Sequence, residues 1–136
     1  MVARPPDPYA AELILTPLLI AVFAVFGALA RYFQSSLVAS LVGKDFPYAT
    51  LSINLIGSFL MGFLFYLTLE RLNTPASLRA GILTGFLGSY TTFSTFSIET
   101  FTLVQEGRIA RAAIYALVSL GLGLLAVGAG VALGRR

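Results

Sequence analysis

The amino-acid sequence predicts an all-α membrane protein of four transmembrane helices, the third of them broken, and three observations carry that expectation. Hydrophobic residues make up 57% of the 136-residue chain and charged residues 11%, against the quarter or so of charged residues usual in soluble domains. The apolar residues gather into four windows, each long enough to supply the roughly 20 residues that a helix needs to cross the hydrocarbon. The third window alone carries a dense run of hydroxyl groups, "GSYTTFSTFSIET" from Gly88 to Thr100, which a purely lipid-facing helix would not carry.

The same counts exclude whole classes of function. With no cysteine and no histidine, disulfide frameworks, thiolate metal sites and the commonest general base are all missing. The chain is therefore not expected to be an enzyme. Nine Lys and Arg against six Asp and Glu give a formal charge of +3. The basic residues are scattered over termini and loops and form no stripe that could follow a phosphate backbone, so a nucleic-acid role is not expected.

The prolines of "MVARPPDPY" cannot propagate a helix, and residues 1–10 read as an irregular tail. The apolar run that follows is too long for the core of a signal peptide and has three successors of similar length, so it reads as a retained span. The four spans run roughly over 13–40 with Arg31 inside, 47–69 opening on Pro47, 78–104 and 112–133, all within a single transmembrane domain, 1–136. Short loops join them.

Four spans place both termini and the second loop on one side. That side carries Arg4, Arg71, Arg79, Arg135 and Arg136; the other carries Lys44, Arg108 and Arg111, with Arg31 near its edge. So small a bias permits both orientations under the positive-inside rule, a precondition for an antiparallel dimer. Gly81 and Gly85, Ser119 and Gly123, and Gly130 and Gly134 are small pairs that allow close helix approach, within the chain or between chains. Because four short helices enclose little volume, an aqueous pathway calls for a second subunit, and a dimer is expected.

Polar groups inside the membrane must find partners or face water, which makes them functional candidates. Asn54, with Thr50 and Ser58 one turn to either side, forms a polar stripe that either clasps another helix or offers amide donors to an anion. In the third span Gly81, Gly85 and Gly88 lead into Ser89, Tyr90, Thr91 and Thr92, poor helix formers that predict a break near 88–92. Such a break frees carbonyls for a cation and offers the N–H groups of the next half-helix to negative charge. Phe93 and Phe96 lie three apart on one face, beside Thr92, Thr95 and Glu99. They are either packing residues or rings whose positive edges meet a small anion. Arg31 and Glu99 are the charges well inside spans; they form an ion pair or a snorkelling arginine, or else Arg31 concentrates anions near a vestibule while Glu99 shapes the far end. Tyr115 and Ser119, one turn apart in the fourth span, are a further polar pair.

"GALAR" at 27–31, "TLSINLIGSFLMG" at 50–62 and above all "TGFLGSYTTFSTFSIE" at 84–99 resemble the Fluc (CrcB) family of small fluoride channels, and the resemblance covers all four spans. It implies an antiparallel, dual-topology homodimer with two fluoride pores in the cell's inner membrane. By that resemblance Phe93 and Phe96 line the pore, Asn54 meets the ion between them, and Thr95, Ser94, Tyr115 and Ser119 belong to a hydroxyl track. A structural sodium ion would be held at the dimer centre by the backbone carbonyls of Gly88 and Thr91 from both chains. Where many relatives have a second small residue or an apolar one after the first glycine of the break, this chain has Ser89 and Tyr90. The alternative reading is a proton-coupled small multidrug exporter of dual topology with Glu99 as its exchanging carboxylate. That class places its acid in the first span, where this chain has Arg31.

Overall fold

The computed structural model describes residues 8–136, with side chains from Glu12 onward. Among these residues every regular element is helical. Helix α1, Pro8–Val42, begins inside the segment expected to be irregular. A proline is accommodated in a first turn because the N–H it lacks would have had no partner there. The rest of the expected tail, residues 1–7, lies outside the described residues. Gly43 ends α1 in the left-handed conformation, φ 79°, with its N–H on the Ala39 carbonyl at 3.1 Å, the usual stop for a helix.

Helix α2, Tyr48–Tyr66, starts after Pro47 and runs on into wider π turns over Leu67–Arg71. The third span is assembled from pieces. Helix α3, Ala76–Ala80, follows Pro75; the chain then widens into π turns over Gly81–Leu87, tightens again as α4, Gly88–Tyr90, and breaks. Thr91 (φ −79°, ψ 158°) and Thr92 (φ −150°, ψ 107°) are extended, and α5 resumes over Phe93–Gln105. Gly107, φ 74°, turns the chain, with the Arg108 N–H on the Leu103 carbonyl at 2.9 Å. Helix α6, Ile109–Gly134, completes the chain.

Three continuous helical stretches are long and apolar enough to cross a membrane: Glu12–Val42, Tyr48–Arg71 and Ile109–Gly134. The third window is interrupted and carries many hydroxyl groups, and it is not among them. The molecule is a membrane protein, and small residues set its helix spacing. A Cβ on Gly134 would lie 2.6 Å from the Phe63 carbonyl oxygen, and those on Gly62 and Gly130 would strike the Val127 and Phe59 carbonyls, so α2 and α6 touch backbone to backbone. Gly85 does the same for α1, its Cβ position lying 2.6 Å from the Ile20 carbonyl oxygen, and Gly81 makes room there for Leu19 and Phe23. Two of the three small pairs read from the sequence thus pack within the chain. The core is split accordingly: Ile53, Leu87 and Tyr90 close one cluster, Leu103, Ala112 and Tyr115 the other.

Candidate functional site

Side chains, not a proline, make the break in the third span. The Thr92 N–H donates to Asn54 Oδ1 at 2.9 Å, and Asn54 Nδ2 donates to the Thr92 carbonyl at 3.2 Å, so one amide of α2 grips both backbone groups of a single residue. Thr92 then caps α5. Its Oγ1 accepts the Thr95 N–H at 3.2 Å and donates to Thr95 Oγ1 at 2.7 Å. In a continuous helix those two N–H groups would bond four residues back, to the carbonyls of Gly88 and Thr91. With both diverted to side chains, these carbonyls are released from the ladder.

In front of this clamp lies a cavity of about 290 Å³. Asn54, Ser58 and Met61 line it from α2, Thr91 and Thr92 from the break, Phe93 and Phe96 from α5, and Ser119 from α6. Ser119 Oγ is buried and has no hydrogen-bond partner among the described residues. The Asn54 amide has a second hydrogen beyond the one given to Thr92. The Phe93 and Phe96 centroids are 5.7 Å apart with planes at 43°. The aromatic row continues from Phe96 to Tyr115 at 5.1 Å and from Tyr115 to Phe46 at 5.4 Å, the last pair edge-to-face. At the end of the row Glu99 accepts the hydroxyls of Thr50 and Tyr115, both at 2.8 Å. Hydroxyl and amide donors beside positive ring edges suit a small anion, which they can hold without any fixed positive charge to trap it. Among the described residues no three His, Cys, Asp or Glu side chains gather as a metal site, so the oxygen donors on offer at the break are backbone carbonyls.

Residues 18–131 match a family model described as CrcB-like protein, Camphor Resistance (CrcB). The chain belongs to the CrcB family. Among curated proteins it is similar to the fluoride-specific ion channel FluC of Acidithiobacillus ferrooxidans, 55% identical over 83% of this chain and 88% of that one. The protein of the same name from Magnetococcus marinus is 47% identical over 85% of this chain and 94% of its own. A longer one from Methylococcus capsulatus is 50% identical over 86% of this chain and 51% of its own.

This CrcB chain brings together four of the residues singled out from the sequence, Asn54, Phe93, Phe96 and Ser119, in the one cavity. Tyr115 adjoins through its ring contact with Phe96. Thr95 lines a separate cavity of about 260 Å³ with Arg31, Thr50 and Thr92, and Ser94 lies exposed beside Thr92, in neither. Arg31 and Glu99 do not pair; among the described residues the one ion pair is Arg108 with Glu106, at 3.1 Å. Gly88 and Thr91 flank the turn whose carbonyls the break releases. The Asn54 stripe divides its work: Thr50 serves Glu99, Asn54 the break, Ser58 the cavity. Sequence reasoning passed over Gln34, whose amide accepts the Tyr90 hydroxyl and donates to Ser52 Oγ at 3.1 Å. An uncharged amide inside the first span was the available signal, the same one that had drawn attention to Asn54.

Proposed function

We propose that this chain forms a passive, fluoride-selective channel of the inner membrane through which F⁻ leaves the cytoplasm. It works as an antiparallel, dual-topology homodimer with two pores. One observation carries the reading: a single cavity gathers two phenylalanine rings, an uncommitted amide hydrogen and a buried hydroxyl without a partner. The choice of fluoride among anions rests on the relatives, which carry the name fluoride-specific ion channel.

The physical logic fits a pore without an engine. In acidic surroundings fluoride enters cells as HF, dissociates in the neutral cytoplasm and is trapped as the anion. A negative-inside potential then drives it out, at about 2.3 kcal/mol per charge per 100 mV. The sequence carries no P-loop pattern for nucleotide binding.

The residues present also fit a structural sodium ion. The released carbonyls of Gly88 and Thr91, contributed by each of two chains, are oxygen donors of the kind that replace an alkali ion's water. The bound ion would supply a fixed positive charge at the dimer centre. The exporter alternative draws less support, because Glu99 is engaged by two hydroxyls.

Fluoride efflux from liposomes holding the purified protein tests the channel, read with a fluoride electrode after a potassium ionophore is added. Rapid fluoride release with chloride retained is the expected result. No release from a well-folded dimer would overturn the reading.

A further inference from the structure

Two residues, Ser89 and Tyr90, separate the two released carbonyls, and both are anchored on α1. Ser89 Oγ donates to the Ala24 carbonyl at 2.9 Å. One residue on, the Tyr90 hydroxyl donates to Gln34 Oε1, Gln34 Nε2 donates to Ser52 Oγ at 3.1 Å, and Ser52 Oγ donates to the Ala49 carbonyl at 2.9 Å. The result is a directed chain of hydrogen bonds from α4 through α1 to α2. Such chains polarise one another and hold their members in one arrangement. The Tyr90 ring is held as firmly as its hydroxyl. It is 4% exposed, packs with Ile53 and Leu87, and stacks on Phe86 with centroids at 6.0 Å and planes 9° apart. On α2, Gly57 leaves the room that Tyr90 and Thr91 occupy: a Cβ there would lie 3.3 Å from Tyr90 Cδ1 and would strike the Thr91 methyl.

Neither Gln34 nor Tyr90 lines the cavity of Asn54, Phe93 and Phe96. What they reach is the last turn before the break, where Gly88 and Thr91 present their carbonyls. We propose that Gln34 and Tyr90 are positioning residues for a cation site at the break: their hydrogen bond fixes α4 against α1 and so sets the spacing of the Gly88 and Thr91 carbonyls. The proposal rests on the sodium reading given above and names the side chains that tune it. Because the bond is buried, removing one partner strands the other, whereas replacing both with apolar groups of similar shape strands neither.

The test is a sodium titration of the purified dimer, following its thermal unfolding with N-methylglucamine as the replacement cation and potassium as a control. Three variants are compared with the parent: Tyr90→Phe, Gln34→Met and the two together. The parent is expected to gain stability saturably with sodium and not with potassium. Each single variant should raise the sodium concentration of half-effect at least tenfold; the double variant, which lacks the same bond, should keep that rise while recovering part of the stability lost without sodium. Variants that lose stability equally at every sodium concentration, with the half-effect unchanged, would reduce the network to a structural clasp and overturn the proposal. A parent indifferent to sodium would overturn the sodium reading along with it. Should Tyr90→Phe fail to yield a dimer, Gln34→Met reads the same bond from α1.

Discussion

At the scale of single residues, Ser119 separates transport from folding, because its Oγ is buried and bonded to nothing among the described residues. Ser119→Ala should leave thermal stability within about 0.5 kcal/mol, as for a substitution that breaks no contact. Fluoride flux should fall about tenfold, the loss of one hydrogen bond to a charged partner. Equal flux in the two proteins would remove Ser119 from the pathway. The rings make a second comparison. Phe93 is 74% exposed in the single chain, whereas Phe96 packs between Phe93 and Tyr115. Phe93→Ile should thus abolish flux at little cost to the monomer's stability, and Phe96→Ile should lose flux together with about 1–3 kcal/mol of stability. Parental flux in both would sink the ring-edge account. Glu99 supplies a third. Tyr115→Phe removes one of its two hydroxyl donors and should cost about 1–3 kcal/mol in a melting experiment, while adding Glu99→Gln should recover part of that by removing the under-bonded charge.

At the scale of elements, the close pairing of α2 with α6 depends on glycines that have no room for a side chain. Gly130→Ala drives a Cβ into the Phe59 carbonyl and should destabilise by about 1–3 kcal/mol, measured by melting in detergent. Among the described residues, its own helix turn aside, nothing lies within 4 Å of the corresponding position at Gly128. Gly128→Ala should therefore be neutral or gain up to about 1 kcal/mol of helix propensity. Three of the four expected spans are continuous apolar helices long enough to cross a membrane, and hydropathy and length suffice to read such helices from a sequence. The break was legible for only part of its cause. Weak helix formers pointed to 88–92, yet Gly88, Ser89 and Tyr90 are helical, and the chain opens only where Asn54, 38 residues away in sequence, competes for the Thr92 backbone. Local propensity contains no such partner. Nor does it contain the π turns of Gly81–Leu87, which arise where the backbone meets α1.

At the scale of the whole molecule, residue types and spacing left Asn54, Phe93 and Phe96 open between packing and anion binding, and the family resemblance singled them out with Ser119; these four line one cavity. Neither separated Thr95 from Phe96, because which side of α5 faces which cavity depends on how the half-helix is rotated. The weak charge bias also leads to a prediction. The chain has no cysteine, so Lys44→Cys on the exposed first loop is a unique reporter of orientation. A membrane-impermeant maleimide applied to sealed cells should label about half of the protein if both orientations insert. Complete labelling or none would mean a single orientation and would rule out the antiparallel dimer.

The π turns of Gly81–Leu87 also decide how this family member tolerates length variation. A π turn takes up more residues than an α turn, so the segment acts as a built-in insertion that sets the rotational phase of everything after it. If one residue were lost there, the chain could rewind as ordinary α-helix, whose step per residue is larger, and would reach Gly88 in nearly the same phase. A residue gained there would find no such slack and would turn Tyr90 from Gln34 and Thr92 from Asn54. The segment is therefore expected to tolerate the loss of one residue and not the gain of one, an asymmetry that the loops at 43–47 or 106–108 do not share.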